Sequence, residues 1–311
     1  MCRITVITSL FNCQVYLNGY FAAVEQIKNQ EEIEIVLIHN APQEGELSII
    51  NKFLPRFPFV KHIVVEREGL YATWNRGIKM AKGKYITTWN VDDVRLPHSL
   101  SNQADALDAN ANAVLSYGDF KIVDRYGSTE GKSVSEPEFD SKNRTFYRQH
   151  HIGCFPMWRK VIHDEVGYFD EQFRLVADLD FQIRVAKKYD MVKVSQQLGY
   201  YLEGTSANLS SNFSIQDEEQ TVLHMRYGNF NLIYLTHVIN GLKNFKIFTF
   251  KWFGNYHRMS EWTVESKFSY ISRFPMIIFS VVKWPRHLAR KYLKKQLSKK
   301  ESISATCSIF V

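Results

Sequence analysis

GLYATWNRGIKMAKGKYITTWNVDD, residues 69–93, decides the fold. Leu70, Trp74, Ile78 and Ala81 recur at helical spacing, Gly83 is placed as a helix C-cap, and the apolar run KYITTW that follows has the character of a strand. Shortly after the strand come Asp92 and Asp93, two adjacent carboxylates whose like charges repel at short range. Upstream, residues 4–9 form a short β-type run, Asn12 is a helix cap, and a helical pattern continues to about Asn29. IEIVLIHN (33–40) and VKHIVVE (60–66) are further strands, with GELSIINKFL helical between them. The first of these strands is continuously apolar, the mark of one covered on both faces. Four strands alternate with three helices. That order predicts an α/β chain built on a mostly parallel sheet with helices on both faces, and such sheets keep ligands at the carboxyl ends of their strands. Asp92 and Asp93 fall just past one of those ends.

A divalent cation is one reason to place two carboxylates together, since Mg²⁺ and Mn²⁺ are held by one or two carboxylates with substrate phosphates. Asp93 as the cap of a helix starting near Pro97, with Asp92 solvated beside it, is the other account of the same pair. Farther along, ADLDFQIRVAKKYD carries Phe181, Val185 and Tyr189 at i, i+4, i+8, which buries one helix face and leaves Asp178 at the helix entry and Asp180 in its first turn. The helix dipole favours an ionised Asp178, available to accept a proton, although a cap is the common role for an aspartate there.

Six segments, ITVITSLFN, EIVLIHNAPQ, the stretch at 69–93, GCFPMWRKVIHDEVGYFDEQF, ADLDFQIRVAKK and GYYLEGTSANLS, occur in that order with ordinary spacers. Together they resemble the family 2 glycosyltransferases of the GT-A fold over residues 3–211. The resemblance implies sugar transfer from a nucleoside-diphosphate-sugar, a UDP-sugar first among donors, to an acceptor hydroxyl with inversion, in polysaccharide or glycoconjugate synthesis. It implies donor contacts at Ser9, Phe11, Asn40, Asn75, Asn90 and Asp92, a Mn²⁺ or Mg²⁺ ion on Asp92 and Asp93, and Asp178 as the base. Phe11 suits stacking on a base as well as it suits the core, and Asn75 suits helix packing as well as donor contact. Two departures stand out. Asn90 occupies a position usually acidic in the family, and His39-Asn40 replaces a usual acidic pair. A catalytically weak protein that binds nucleotide-sugar or carbohydrate on the same fold is therefore the alternative. His150 and His151 do not read as metal ligands, because adjacent residues do not share a helical face and no third ligand stands near; they are loop or core residues, with contact to an acceptor the other option. Trp158, read at a helix start, suits packing, and stacking on an acceptor sugar is its alternative.

The 311 residues are 45% apolar, which excludes wholesale disorder. Four scattered cysteines make neither a zinc site nor a disulfide framework. The formal charge of +7 concentrates in one segment: residues 283–300 hold eight Lys and Arg and no acid, leaving 31 basic against 32 acidic residues elsewhere. The body is near neutral, which argues against nucleic acid as a partner. A boundary near 212 separates the presumed catalytic domain, 1–211, from a helical, aromatic and basic extension, 212–311. With no signal peptide read at the N-terminus, the expected location is cytoplasmic. The extension suits the anionic inner face of a membrane, where a lipid-linked or other glycan acceptor would reside; a solvated basic helix suits the same sequence.

Overall fold

The computed structural model describes residues 2–203, 213–227, 249–252 and 255–258. They fall in two compact units, Met1–Phe213 and Ser214–Val311. The first unit opens β1 (Ile4–Leu10), α1 (Gln14–Gln26), β2 (Ile33–Asn40), α2 (Glu44–Phe53), β3 (Val60–Val65), α3 (Leu70–Met80) and β4 (Tyr85–Thr88). Every residue of β2 and β4 is buried, as is all of β1 except Ser9, so both faces of these strands are covered. Such strands place apolar side chains on both sides of the pleat, and the polar residues among them are hydrogen-bonded, Thr5 to Glu34 and Thr8 with Tyr20.

The chain continues with β5 (Val94–Arg95), α4 (Ser99–Ala109), β6 (Ala113–Gly118), β7 (Phe120–Val123), β8 (Lys132–Val134), β9 (Met157–Arg159), α5 (His163–Val166), α6 (Ala177–Ala186), β10 (Asp190–Val194) and β11 (Gly199–Leu202). The main sheet runs β10-β6-β9-β4-β1-β2-β3. Its pairs are parallel except those of β9, which lies antiparallel between β4 and β6. A smaller sheet, β5-β11-β7-β8, stands beyond the ends of β4 and β6. Beyond residue 212 the described residues form α7 (Phe213–Arg226) and an antiparallel pair, β12 (Thr249–Trp252) and β13 (Asn255–Arg258). The basic segment 283–300 lies outside the described residues, and among those described no helix is long and apolar enough to cross a membrane.

Three local expectations change. Trp158 is a fully buried strand residue of β9, not the start of a helix. Asn12 does not cap α1; it takes a left-handed conformation, φ 48°, and its Oδ1 accepts from Gln43 Nε2 at 2.9 Å. Asn tolerates this region because its short polar side chain can bond locally. Gly83 is not a C-cap, which falls at Ala81. It is small because a Cβ there would stand 2.5 Å from Thr5 N and 2.7 Å from Ile4 C, while its own N–H donates to Thr5 Oγ1 at 2.9 Å.

Candidate active site

Strand order reverses between β1 and β4, so the loops after these strands bound the crevice where open α/β sheets bind ligands. Asp92 and Asp93 stand on that rim. The turn bearing them is closed by Asp93 N–H to Asn90 O at 3.1 Å, and the buried Trp89 indole donates to Asp93 O at 3.0 Å. The two carboxylates part company from there. Asp92 is half-buried, while Asp93 is wholly enclosed, its Oδ1 accepting from Leu202 N at 3.2 Å and its Oδ2 from Asn90 Nδ2 at 3.1 Å. Burial pushes both carboxyls up, Asp93 much further because the Asp92 charge adds to it. Arg95, buried nearby with its own pKa lowered to about 10 by burial, supplies partial compensation. The two expected metal ligands are thus an asymmetric pair: Asp92 is partly exposed, and Asp93 ties the turn to β11. Asn90 spends its amide on Asp93.

The donor residues divide in the same way. Ser9 is half-buried at the end of β1, and Phe11 just beyond is 39% exposed, which removes it from the core. The Arg67 guanidinium covers one face of that ring, 3.5 Å from its centroid. Asn40, by contrast, is fully buried: its Oδ1 accepts from Glu68 N at 3.0 Å and its Nδ2 donates to Thr73 Oγ1 at 3.1 Å. Asn75 is likewise buried, accepting from Phe169 N and donating to Phe169 O and Glu171 Oε1. Both amides therefore brace the site from behind: Asn40 joins β2 to the start of α3, and Asn75 joins α3 to residues 169–171.

His39 lies at the centre of a network invisible in the sequence. Glu46 Oε2 stands 3.1 Å from His39 Nε2 and accepts from Gln43 N at 2.9 Å, and Oε1 accepts from Cys13 N at 2.6 Å. A carboxylate can only accept, so His39 Nε2 carries the proton and Nδ1 accepts from His62 Nε2, 3.0 Å away. The ligand atoms of Cys13, His39 and Glu46 all lie within 4.8 Å, a spacing a metal ion could bridge. The donor set argues otherwise, because burial and the adjacent Glu46 push the Cys13 thiol up, away from the thiolate that metals bind. The network instead fastens the loop after β1 to β2 and α2.

On the far side of the sheet's centre, Asp178 occupies the first turn of α6 and is one-third exposed. Its Oδ1 accepts from Leu179 N at 2.7 Å, and its Oδ2 stands 3.5 Å from His150 Nε2. Asp180 is enclosed and accepts from Arg184 Nε at 2.8 Å, the pairing on one helix that its i,i+4 spacing allows. Trp158 donates to His163 Nε2 at 2.8 Å and belongs to the core. Sequence reasoning missed Arg67, Glu46 and Tyr126. The last, in the turn between β7 and β8, packs on α1 so closely that a Cβ on Gly19 would lie 2.2 Å from its ring. Its hydroxyl is buried without a hydrogen-bond partner, and burial, then the charges of Asp92 and Asp93, push its pKa up. An aromatic before a turn glycine, DRYG, was the only signal it offered.

The model of glycosyl transferase family 2 matches residues 5–167, slightly more than half of the chain, and the chain belongs to that family. The match ends before α6, so Asp178 lies outside it. An uncharacterized glycosyltransferase of Bacillus subtilis, YwdF, is 27% identical over 169 residues, spanning 52% of this chain and 60% of that protein. Among solved structures, S. aureus TarS 1–349 in complex with UDP-GlcNAc superposes with a TM-score of 0.58 at 17% identity, over 78% of this chain and 72% of that one. The mannosyltransferase PcManGT from Pyrobaculum calidifontis, in complex with GDP-Man and Mn²⁺, gives 0.51 at 14% identity, over 72% and 63%. The fold is GT-A.

Proposed function

We propose that the chain moves a sugar from a nucleoside-diphosphate-sugar to an acceptor hydroxyl with inversion at the anomeric carbon. The observation that carries this reading is the pair of partly exposed carboxylates on separate elements, Asp92 at the reversal of strand order and Asp178 at the start of α6. Asp178 accepts the acceptor's proton as the hydroxyl oxygen bonds to the anomeric carbon, and the bond from that carbon to the diphosphate oxygen breaks with its electron pair leaving on the diphosphate. Phe11 and Ser9 border the nucleotide, with Arg67 against the ring. Asp92 is the carboxylate fit to hold a hard divalent cation jointly with phosphate oxygens, and Asp93, with both oxygens engaged, holds the turn. Mn²⁺ or Mg²⁺ so held would neutralise the departing diphosphate. The donors found with the GT-A neighbours, UDP-GlcNAc and GDP-Man, make uracil and guanine nucleotides the first candidates. A glycan or lipid-linked acceptor, and a peripheral place on a membrane, rest on the basic sequence 283–300 alone.

A panel of nucleotide sugars with Mn²⁺ or Mg²⁺, scored for release of nucleoside diphosphate, tests the reading. One donor is expected to turn over. Asp92→Ala should abolish metal-dependent donor binding in a folded protein, and Asp178→Asn should preserve donor affinity while lowering release about a hundredfold or more. Tight donor binding with no release from any donor would favour the weakly catalytic alternative; full metal-dependent activity of Asp92→Ala would end the metal assignment.

A further inference from the structure

Asp178 does not stand alone at the entrance of α6. Its Oδ1 is tied to Leu179 N at 2.7 Å, and its Oδ2 is turned toward His150 Nε2 at 3.5 Å. That nitrogen is shut off from solvent and has no hydrogen-bond partner, although the imidazole as a whole is one-third exposed. The segment carrying it is fastened with unusual care. Gln182, four residues beyond Asp178 and hence on the same face of α6, is fully buried and uses both ends of its amide. Its Oε1 accepts from His151 N at 2.7 Å and Ile152 N at 3.1 Å, and its Nε2 donates to Phe146 O and Gln149 O, both at 2.8 Å. A second anchor joins His151 Nδ1 to Glu136 Oε2 at 3.0 Å. Four bonds from one side chain thus fix residues 146–152 against the helix turn that follows Asp178. The other acid of that turn is unavailable, because Asp180 is held by Arg184.

We propose that His150 is a positioning residue for Asp178. Its Nε2, 3.5 Å from Oδ2 and without another partner, is placed to close on that oxygen, so that the carboxylate would be held at both oxygens, by the helix terminus at one and by the imidazole at the other. The second lone pair of Oδ2 is then left facing outward for the acceptor's hydroxyl proton. A rotating carboxylate would present that lone pair for only part of the time, and loose positioning of a reacting group costs on the order of a hundredfold per ångström. The proposal rests on the reading of Asp178 as the base.

The test uses the full chain, the donor that turns over in the panel and water as acceptor. His150→Ala is expected to lower the release of nucleoside diphosphate at saturating donor by about ten- to a hundredfold, within the scale set by complete removal of a general base. The donor KM should stay within about twofold, because the nucleotide is bordered by other elements. His150→Gln, which restores an N–H of similar reach, should recover most of the loss, and His150→Phe, which restores only volume, should not. In the Asp178→Asn background His150→Ala should have no further effect. Thermal melting of each variant separates misfolding from mispositioning; the Gln and Phe variants preserve bulk, so their contrast survives even where the Ala variant fails to fold. Release by His150→Ala within twofold of the parent, or a Gln variant no better than the Phe variant, would overturn the pairing. If Asp178→Asn itself keeps full activity, the base assignment falls instead, whatever the His150 variants do.

Discussion

At Asp93 the difference between two neighbouring identical residues becomes measurable. Its carboxylate is enclosed and accepts from Leu202 N and Asn90 Nδ2, whereas Asp92 is open to the rim. Removing an acceptor from a buried N–H costs about 1–3 kcal/mol. Part of that is offset, because burial and the Asp92 charge make an ionised Asp93 costly. Asp93→Ala should therefore lower the melting temperature, and Asp92→Ala should leave it unchanged or raise it by relieving like-charge repulsion. Calorimetry of both without added metal decides the point; equal melting temperatures would show that Asp93 anchors nothing. The sequence announced two adjacent acids at a strand end but not which one looks inward, because that depends on Leu202, more than a hundred residues away. Asn40 and Asn75 are ambiguous in the sequence for the same reason: an amide looks alike whether it meets a ligand or a distant backbone, as Asn75 meets Phe169.

Among the elements, β1 to β4 and α1 to α3 were legible because short, largely apolar runs alternate with segments long enough to show a helical period. β9 was not. Three residues, Met157–Arg159, carry no period, and their antiparallel place between β4 and β6 is set by partners from two other segments. Helix α6 is legible down to its first residues, whereas the approach of His150 to Asp178 joins two separate segments and leaves no trace in the sequence. The packing of β4 against β1 yields a prediction at this scale. Gly83 admits no Cβ without displacing the backbone of Ile4 and Thr5, atoms that cannot swing aside as a side chain can. Gly83→Ala should cost about 1–3 kcal/mol, the usual penalty of overpacking, and should weaken donor binding because β1 and β4 carry the two rims of the site. Denaturant unfolding beside donor titration checks both, and a variant as stable as the parent would mean the strands have room to part.

Over the whole first unit, His39 and His163 are buried as neutral rings and His62 is partly buried beside His39. His39 and His62 share a hydrogen bond, and His163 Nε2 accepts from the Trp158 indole, a role that a protonated ring cannot fill. Burial lowers all three pKa values, with Glu46 opposing it at His39. The unfolded chain binds their protons below about pH 6.5 while the folded chain does not, so their contribution is complete above that pH and is lost as the pH falls below it. Asp92 and Asp93, pushed up by burial, act in the opposite sense. The clean measurement is therefore a difference: between pH 7 and 5.5, His163→Gln should lose less stability than the parent, by up to about 1.4 kcal/mol per pH unit. Parallel curves would show that His163 takes up its proton without unfolding. The position of β9 also has a consequence for synthesis on the ribosome. Because residues 157–159 fill the gap between β4 and β6, a nascent chain that has emerged only as far as β8 possesses the rim with Asp92 but leaves the facing edges of β4 and β6 unpaired, open to any passing strand until β9 arrives.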